Sequence, residues 1–145
     1  MNKYELNFNG YWIDSRISGM PKTSGVYLVY RCTYDNEGVS LKELLYIGQA
    51  ENLYEKISNH EKKELFEKQC KSGETLCYSV AKVPPDNLNI VENALIFAQK
   101  PQLNTEYKDR FLYDVPVSFQ LEGRCKLMKY QNFTIENRSD AETNR

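Results

Sequence analysis

The chain lacks the features that mark several large classes of protein. Its four cysteines include no Cys-x-x-Cys pair, which argues against a zinc cluster and favours free thiols in a reducing cytoplasm. The first residues contain no apolar segment of the kind found in a secretory signal peptide, so we expect no secretion. No apolar stretch approaches the roughly 20 residues that a membrane-spanning helix needs. We therefore expect a cytoplasmic protein without a membrane partner.

An excess of charge of one sign is also missing. Nineteen Lys and Arg residues oppose 20 Asp and Glu residues, which leaves a formal net charge of −1. A strong positive field is typical of non-specific nucleic-acid binders, so a nucleic-acid partner would have to meet a local patch. The length of 145 residues and the apolar content of 41% indicate one soluble domain with a sizeable core.

The middle of the chain predicts alternating strands and helices. Two β-branched and aromatic runs, residues 25–32 and 44–48, predict strands that pair antiparallel, and residues 76–83 predict a third strand. A helix is predicted from residue 52 to about residue 70, because its first residues resemble a capping box. A second helix is predicted over residues 87–99, between a proline-rich break and another proline.

The two ends of the chain predict short β additions to this α+β core. An Asn-Gly turn signal within residues 4–13 predicts a hairpin or an edge strand. A second hairpin is predicted around residues 122–123, with a further strand over residues 133–135. We interpret residues 1–136 as a single domain. Residues 137–145 are polar and lack aromatic anchors, which predicts a disordered tail.

One carboxylate falls within the apolar side of the second predicted helix. Leu88, Glu92, Leu95 and Ile96 stand at i, i+4, i+7 and i+8. A carboxylate on a buried face is costly unless it is paired or holds a metal. A single Glu suits Mg²⁺, which keeps most of its waters and uses one or two carboxylates together with substrate phosphate. The alternative is that Glu92 lies at the margin of the apolar side and reaches solvent or a lysine.

Lys56 and His60 stand four residues apart on the first predicted helix, so we expect their side chains on one helical face. A cation and an imidazole one turn apart can grip a phosphate and help to move a proton. The alternative is a surface pair, because an isolated histidine on a charged helix is more often solvated than functional.

Tyr27 and Tyr46 lie in two of the predicted strands, within the tripeptides Gly-Val-Tyr (25–27) and Tyr-Ile-Gly (46–48). The chain has 11 tyrosines, so most of them must be structural. A phenol has a pKa of about 10, and a tyrosine base therefore needs nearby positive charge or a metal-held water as intermediary. Taken alone, the two rings would be interpreted as packing residues.

The ordered set of these residues resembles the GIY-YIG endonuclease domain family. After the two tripeptides come the Asn-Leu pair at 52–53, then His60, Glu92 and a Pro-Gln-Leu-Asn run that ends at Asn104. The similarity covers about residues 24–105, and both ends of the chain fall outside it. Each tripeptide alone is a weak signal, whereas the complete set in this order is much more specific.

The resemblance implies both a fold and a reaction. The fold is a small central three-stranded antiparallel sheet flanked by helices, to which the chain ends would add short strands. The reaction is the hydrolysis of phosphodiester bonds in DNA with one divalent metal ion, Mg²⁺ or Mn²⁺. A single site cuts one strand, so double-strand cleavage would require a homodimer or a second nick.

The resemblance also implies roles for individual residues. Glu92 would be the metal ligand. Tyr27 and Tyr46 would lie beside the waters of the site, and one of them would help to deprotonate the nucleophile. Gly48 would permit close approach of the backbone, and Asn104 would brace the site by hydrogen bonds.

One position departs from the family pattern. The family usually has Arg eight residues after the glycine of the second tripeptide, where this chain has Lys56. Arginine presents a planar two-pronged fork to phosphate, whereas lysine is a hydrated point charge. His60, in contrast, matches a position at which several members carry histidine.

Three hypotheses follow. The favoured one is a metal-dependent DNA endonuclease, because a pure binding module has little reason to keep the set Tyr27, Tyr46, Glu92 and Asn104. The second is a catalytically weak or inactive module of the same fold that binds nucleic acid, which Lys56 and the near-neutral charge favour. The third is a small soluble domain in which the tyrosines and the carboxylate are structural.

Overall fold

The structure, a computed structural model, describes residues 2–136. The disordered tail predicted for residues 137–145 lies outside the described residues. No helix within the described part of the chain is long and apolar enough to cross a membrane. The cytoplasmic location stays a prediction.

A single mixed sheet of six strands organises the described residues. The strands are β1 Asn2–Ile13, β2 Gly25–Asp35, β3 Gly38–Ala50, β4 Thr75–Lys82, β5 Val117–Gly123 and β6 Asn132–Ile135. Their order in the sheet is β3-β2-β4-β1-β5-β6. Neighbouring strands are antiparallel except for β1 and β5, which run parallel.

Short helices cover both faces of the sheet. They are α1 Leu53–Ser58, α2 Lys63–Glu67 and α3 Leu88–Gln99, the last preceded by a 3₁₀ turn at Pro85–Asn87. Alternate residues of β2 enter two separate cores, as expected for a strand buried on both sides. One core packs α3 against the first face, and the other packs α1 and α2 against the second face.

The predicted small three-stranded sheet flanked by helices is wrong. Strands β2, β3 and β4 are antiparallel as expected, but the sheet continues through β1 to β5 and β6. Residues 9–13 of β1 pair with β4, whereas residues 2–8 pair with β5. The terminal strands are therefore integral to the sheet, and β1 joins its two parts.

The Asn-Gly signal in β1 marks neither the predicted hairpin nor the alternative edge strand, because β1 lies between β4 and β5. A Cβ on Gly10 would lie 2.7 Å from Ser79 Oγ and 2.9 Å from the carbonyl oxygen of Tyr78. The glycine thus allows β1 to approach β4 closely at an irregularity in their pairing. The hairpin predicted around residues 122–123 is also wrong, because β5 pairs with the later strand β6 across a longer connection.

The single helix predicted from residue 52 to about residue 70 is interrupted. Helix α1 ends before His60 and α2 begins after it. The His60 ring turns inward, is only 8% exposed and accepts a hydrogen bond at Nδ1 from the Lys62 backbone N–H at 3.0 Å. Because the chain leaves the helix there, the prediction that Lys56 and His60 share one helical face is wrong.

Candidate active-site groove at the edge of strand β3

A β-bulge in β3 sets the direction of its candidate side chains. Val29 of β2 pairs with Tyr46, but the next residue of β2 pairs with Leu44, so Leu45 is an extra residue in β3. Leu45 and Tyr46 consequently both face α1 and α2, whereas Leu44 and Ile47 belong to the core on the α3 side. Bulges re-aim side chains in this way. The bulge directs Tyr46 toward the other aromatic residues of that face.

Four rings form an aromatic cluster on this face: Tyr27, Tyr46, His60 and Phe66. The His60 ring is edge-on to both phenols, with centroid distances of 5.5 Å to Tyr27 and 5.8 Å to Tyr46. The centroids of the two phenol rings lie 6.3 Å apart. Phe66 packs at 4.8 Å from His60 and 5.2 Å from Tyr46. The structure therefore brings both candidate tyrosines and the candidate histidine together.

The hydrogen bonds of His60 define its tautomer. Burial lowers the pKa of His60 to about 4, so the ring is neutral at neutral pH. Its Nδ1 accepts the Lys62 N–H, and the ring proton therefore resides on Nε2. Nε2 then donates to the Tyr27 Oη at 2.6 Å. The hydroxyl proton of Tyr27 is left to donate elsewhere, and His60 does not act as a base toward Tyr27.

Both phenols are difficult to ionise in this setting. Burial raises the pKa of Tyr27, and burial followed by the charge of Glu92 raises the pKa of Tyr46 to about 12. The two side chains are therefore neutral hydrogen-bonding groups at neutral pH. Gly48, directly opposite Tyr27 in the sheet, makes room for this arrangement, because a Cβ there would lie 2.3 Å from the Tyr27 Oη.

Glu92 lies on the opposite side of β3, on α3. Its carboxylate is half-buried, and Oε1 accepts a hydrogen bond from Gln49 Nε2 at 2.9 Å. The same Nε2 donates to Asn89 Oδ1 at 2.8 Å. Burial is the main cause that raises the pKa of Glu92, and the Gln49 hydrogen bond opposes it. Glu92 thus occupies the margin of the apolar side, and within residues 2–136 it forms no ion pair with a lysine.

Tyr46 and Glu92 meet in one small cavity of about 160 Å³, which we name the β3 groove. The other residues that line the β3 groove are Lys62, Ile96, Asn104, Thr105, Glu106 and Tyr107. Tyr46 enters from the aromatic cluster and Glu92 enters from α3. The groove therefore lies at the edge of the sheet, where its two faces meet.

Asn104 clamps the outer edge of β3. Its Oδ1 accepts the Ile47 N–H at 3.0 Å, and its Nδ2 donates to the Ile47 carbonyl oxygen at 2.9 Å. The preceding residue, Leu103, donates its N–H to the carbonyl oxygen of Leu45 at 2.9 Å. Because β3 is an edge strand, these bonds satisfy backbone groups that no neighbouring strand reaches. Asn104 thereby holds the bulge that aims Tyr46.

Lys56 does not line the β3 groove. Its Nζ lies 3.1 Å from each carboxylate oxygen of Glu61 and borders a neighbouring, wider cavity with Gln49 and Glu55. It is still near enough to lower the pKa of Glu92 slightly against the effect of burial. The lysine that lines the groove is Lys62. The phosphate-binding role of Lys56 stays a prediction.

The groove offers oxygen donors that suit a hard cation. Glu92 and Glu106 both line it, and the charge of Glu106 raises the pKa of Glu92. Within the described residues no group of three or more His, Cys, Asp or Glu side chains is gathered as for a metal cage. One or two carboxylates are sufficient for Mg²⁺, which completes its shell with water and phosphate. The residues present therefore fit Mg²⁺ or Mn²⁺ better than zinc.

Three residues of the site were missed at the level of sequence: Gln49, Lys62 and Glu106. Gln49 carried a usable signal, because it follows the second tripeptide and strand alternation places it on the α3 side with Ile47. Glu106 stands two residues after Asn104, but its position depends on the path of an irregular segment. Lys62 gave no signal while the first helix was taken as continuous.

The fold and the β3 groove define a small mixed-sheet domain with phenols and carboxylates at one strand edge. The chain is similar to UvrABC system protein C of Hydrogenovibrio crunogenus (strain DSM 25203 / XCL-2), with 31% identity over 129 residues. The alignment covers 85% of this chain and 18% of that protein, so the chain spans less than a fifth of its relative. No protein-family model matches the chain, and no solved structure matches it.

Proposed function

We propose that this chain is a divalent-metal-dependent endonuclease of the GIY-YIG type that hydrolyses phosphodiester bonds in DNA. The observation that carries the proposal is the β3 groove, where Glu92 and Tyr46 share one cavity, with Tyr27 and His60 directly behind Tyr46. The similarity to UvrABC system protein C supports a nuclease-related role. Site residues, cofactor and substrate are all part of the proposal.

In this proposal Glu92 holds Mg²⁺ or Mn²⁺, with Glu106 as a second oxygen donor in the same groove. A divalent ion bound there would polarise the substrate phosphate and make water a better nucleophile at neutral pH. Gln49 fixes the orientation of the Glu92 carboxylate through its hydrogen bond to Oε1. Lys62 adds a positive charge at the rim that attracts the phosphate.

The aromatic cluster orients the reacting water. Tyr27 receives a hydrogen bond from His60, so its own proton is directed away from the ring and serves as a donor. Tyr46 lines the groove. Because the pKa of Tyr46 is raised to about 12, this phenol ionises, and can then accept a proton as a phenolate, only when added positive charge stabilises the phenolate. Positioning is therefore the main contribution of the neutral cluster.

The second candidate is a weakly active or inactive module that binds nucleic acid. The pairing of Lys56 with Glu61 favours it, because this cation is engaged away from the groove. Both candidates predict nucleic-acid binding, and only the first predicts cleavage.

Plasmid nicking tests the proposal. We expect supercoiled DNA to be nicked with Mg²⁺ or Mn²⁺ and not in excess EDTA, and we expect Glu92→Gln to reduce the rate by at least about 100-fold. Glutamine keeps the size of the side chain and its contact with Gln49, so the fold is preserved. Glu64→Gln, on the exposed side of α2, is the matched control and retains the wild-type rate.

Cleavage that persists in EDTA or in Glu92→Gln would refute the metal-dependent mechanism. DNA binding without nicking in either metal would favour the second candidate. A homodimer is a further expectation, because one groove cuts one strand. Accumulation of nicked circles before linear DNA, with a rate that is first order in protein, would argue against concerted cutting by a dimer.

A further inference from the structure

A second cavity, separate from the β3 groove, combines aromatic rings with lysines. It has a volume of about 350 Å³ and lies between the C-terminal end of α3 and the edge strand β6. We name it the aromatic–lysine cleft, after the side chains Phe97, Lys100, Lys129, Tyr130 and Phe133 that line it. Its volume is at the lower end of the roughly 300–1,000 Å³ typical of small-ligand pockets.

One wall of the cleft is the end of an aromatic column. The Tyr4 and Phe119 rings stack at 5.0 Å, and the Phe119 and Phe133 rings stack at 4.9 Å with an interplanar angle of 5°. The three rings come from the adjacent strands β1, β5 and β6, and β6 is the last strand of the sheet. Within residues 2–136, no further ring stacks on Phe133. The column therefore ends at the cleft, where a flat ligand can extend it.

Tyr130, which also lines the cleft, is held in place by hydrogen bonds between its backbone and the Gln99 side chain. The Tyr130 N–H donates to Gln99 Oε1 at 3.0 Å, and Gln99 Nε2 donates to the Tyr130 carbonyl oxygen at 2.6 Å. Gln99 is the last residue of α3 and is buried. The Tyr130 ring nevertheless stays 55% exposed. A fixed backbone with an exposed ring is suited to stacking a partner from solution.

No acidic residue of the described part of the chain lines the cleft. Lys100 Nζ lies 4.5 Å from the Phe97 ring centroid and donates to the carbonyl oxygen of Lys108. Burial lowers the pKa of Lys100, and the charges of Lys129 and Lys108 act in the same direction against that of Asp109. Among the ion pairs of the described residues, none includes Lys100 or Lys129. In a chain of net charge −1, this is a local positive patch.

We propose that the aromatic–lysine cleft binds one unpaired nucleotide of a DNA strand, with its base on the open face of Phe133 and its phosphates beside Lys100 and Lys129. The inference rests on the proposed function, for which it names a strand-binding site. Rings flanked by cations are the usual means of binding single strands, whereas the bases of a duplex present no free face.

Helix α3 joins the cleft to the β3 groove, because Ile96 lines the groove and Phe97 and Lys100 line the cleft. Glu92 lies in the second turn of α3, and Phe97 and Lys100 follow five and eight residues later. At about 1.5 Å per residue, these positions are roughly 7–12 Å further along the helix axis. The cleft and the β3 groove are therefore two cavities along one helix.

Fluorescence anisotropy in EDTA tests the cleft without cleavage. The probes are a labelled oligothymidylate and a blunt duplex of equal length. We expect tighter binding of the oligothymidylate, and a loss of affinity of about 5-fold or more in Phe133→Leu and in Tyr130→Ala. Lys129→Gln should reduce the slope of log affinity against log salt by about 0.7. The matched control is Lys42→Gln, at an exposed position of β3, and this variant should bind as the wild type does.

Each result decides between the two proposals. Wild-type affinity in Tyr130→Ala and Lys129→Gln, two exposed positions whose variants keep the fold, would overturn the cleft. Duplex binding as tight as that of the single strand would also overturn it, because phosphate contact alone would then suffice. If the protein nicks DNA but the cleft variants bind the single strand as the wild type does, the endonuclease proposal is retained and the cleft proposal is refuted. Strand binding that depends on the cleft without any nicking would leave only the cleft.

Discussion

The two sides of β3 differ in charge and in burial. The aromatic cluster is buried and neutral, with rings 4.8–6.3 Å apart and a histidine that stays uncharged. The α3 side carries charge, with Glu92 and Glu106 in one groove and a lysine at its rim. One strand thus separates a closely packed, neutral group of rings from a charged groove. Tyr46 links them, because the bulge turns its ring into the cluster while its side chain lines the groove.

The largest loss of stability is expected on removal of the Asn104 side chain, which holds the outer edge of β3 between its two sides. Asn104→Ala removes two hydrogen bonds and leaves the buried N–H and C=O of Ile47 unpaired, which should cost roughly 2–4 kcal/mol of unfolding free energy. Urea unfolding at neutral pH measures this loss. The control Asn89→Ala removes one exposed hydrogen bond and should cost less than about 1 kcal/mol. Equal losses in the two variants would show that the clamp does not hold the edge.

The neutrality of the aromatic side predicts a pH dependence. The pKa of His60 is about 4 in the folded chain and 6.5 when unperturbed. As the pH falls from 6.5 to 4, His60 binds a proton in the unfolded chain but stays neutral in the folded chain, so stability is lost. The loss should reach about 3 kcal/mol at pH 4 relative to neutral pH. Urea unfolding of wild type and His60→Gln at both pH values isolates this contribution, because other groups titrate equally in the two proteins. Parallel pH curves would contradict a buried neutral histidine.

A smaller effect is expected from crowding the cluster without changing any charge. The Cβ of Gly48→Ala would overlap the Tyr27 hydroxyl, so we expect a loss of roughly 1–3 kcal/mol in unfolding free energy. If nicking is confirmed, displacement of Tyr27 should also slow it by about 100-fold. Gly19→Ala is the control and should lose less stability, since its backbone is outside the left-handed region, its Cβ would meet only the Trp12 ring at 3.2 Å, and it does not line the groove. Wild-type nicking in Gly48→Ala would mean that the position of Tyr27 is not critical.

The smallest effect is expected at Lys56, which lies on α1 and outside the β3 groove. The pair formed by Lys56 and Glu61 is largely exposed, so Lys56→Arg should change stability by less than about 1 kcal/mol. Nicking should change less than about threefold, because Lys56 lies outside the β3 groove. Lys62→Gln, at the rim of the groove, should reduce the nicking rate by more than Lys56→Arg changes it. A marked rise in the rate of Lys56→Arg would show that this position does reach the phosphate.

Local patterns were sufficient for part of the fold. The β-branched and aromatic runs predicted β2, β3 and β4, and the Asn52 side chain caps α1 as expected, at 3.0 Å from the Glu55 N–H. The extended sheet was not predictable, because its determinants are distant in sequence. Gly10 looks like a turn residue until Ser79 is known to lie against it. Nothing in β1 alone reveals a parallel partner near the other end of the chain.

The candidate site shows the same division. The order of Tyr27, Tyr46 and Glu92 along the chain was readable, and the structure places Tyr46 and Glu92 in the β3 groove with Tyr27 next to Tyr46. Helical periodicity failed for Lys56 and His60, because α1 ends at Ser58, before His60. The bulge at Leu45 was also invisible, since it is defined only by the register against β2. Spacing identifies residues, whereas register and interruptions decide which way they point.

The double pairing of β1 has a consequence for how the chain is made. Residue 2 pairs with residue 117, so β1 is synthesised long before the strand with which it pairs. Such pairing across a long sequence separation is slow to form, and until then one edge of β1 stays open to other chains. A fragment cut to the motif-bearing residues 24–105 would expose the edge of β4 in the same way. We therefore expect a shortened form of this protein to aggregate where the full chain folds.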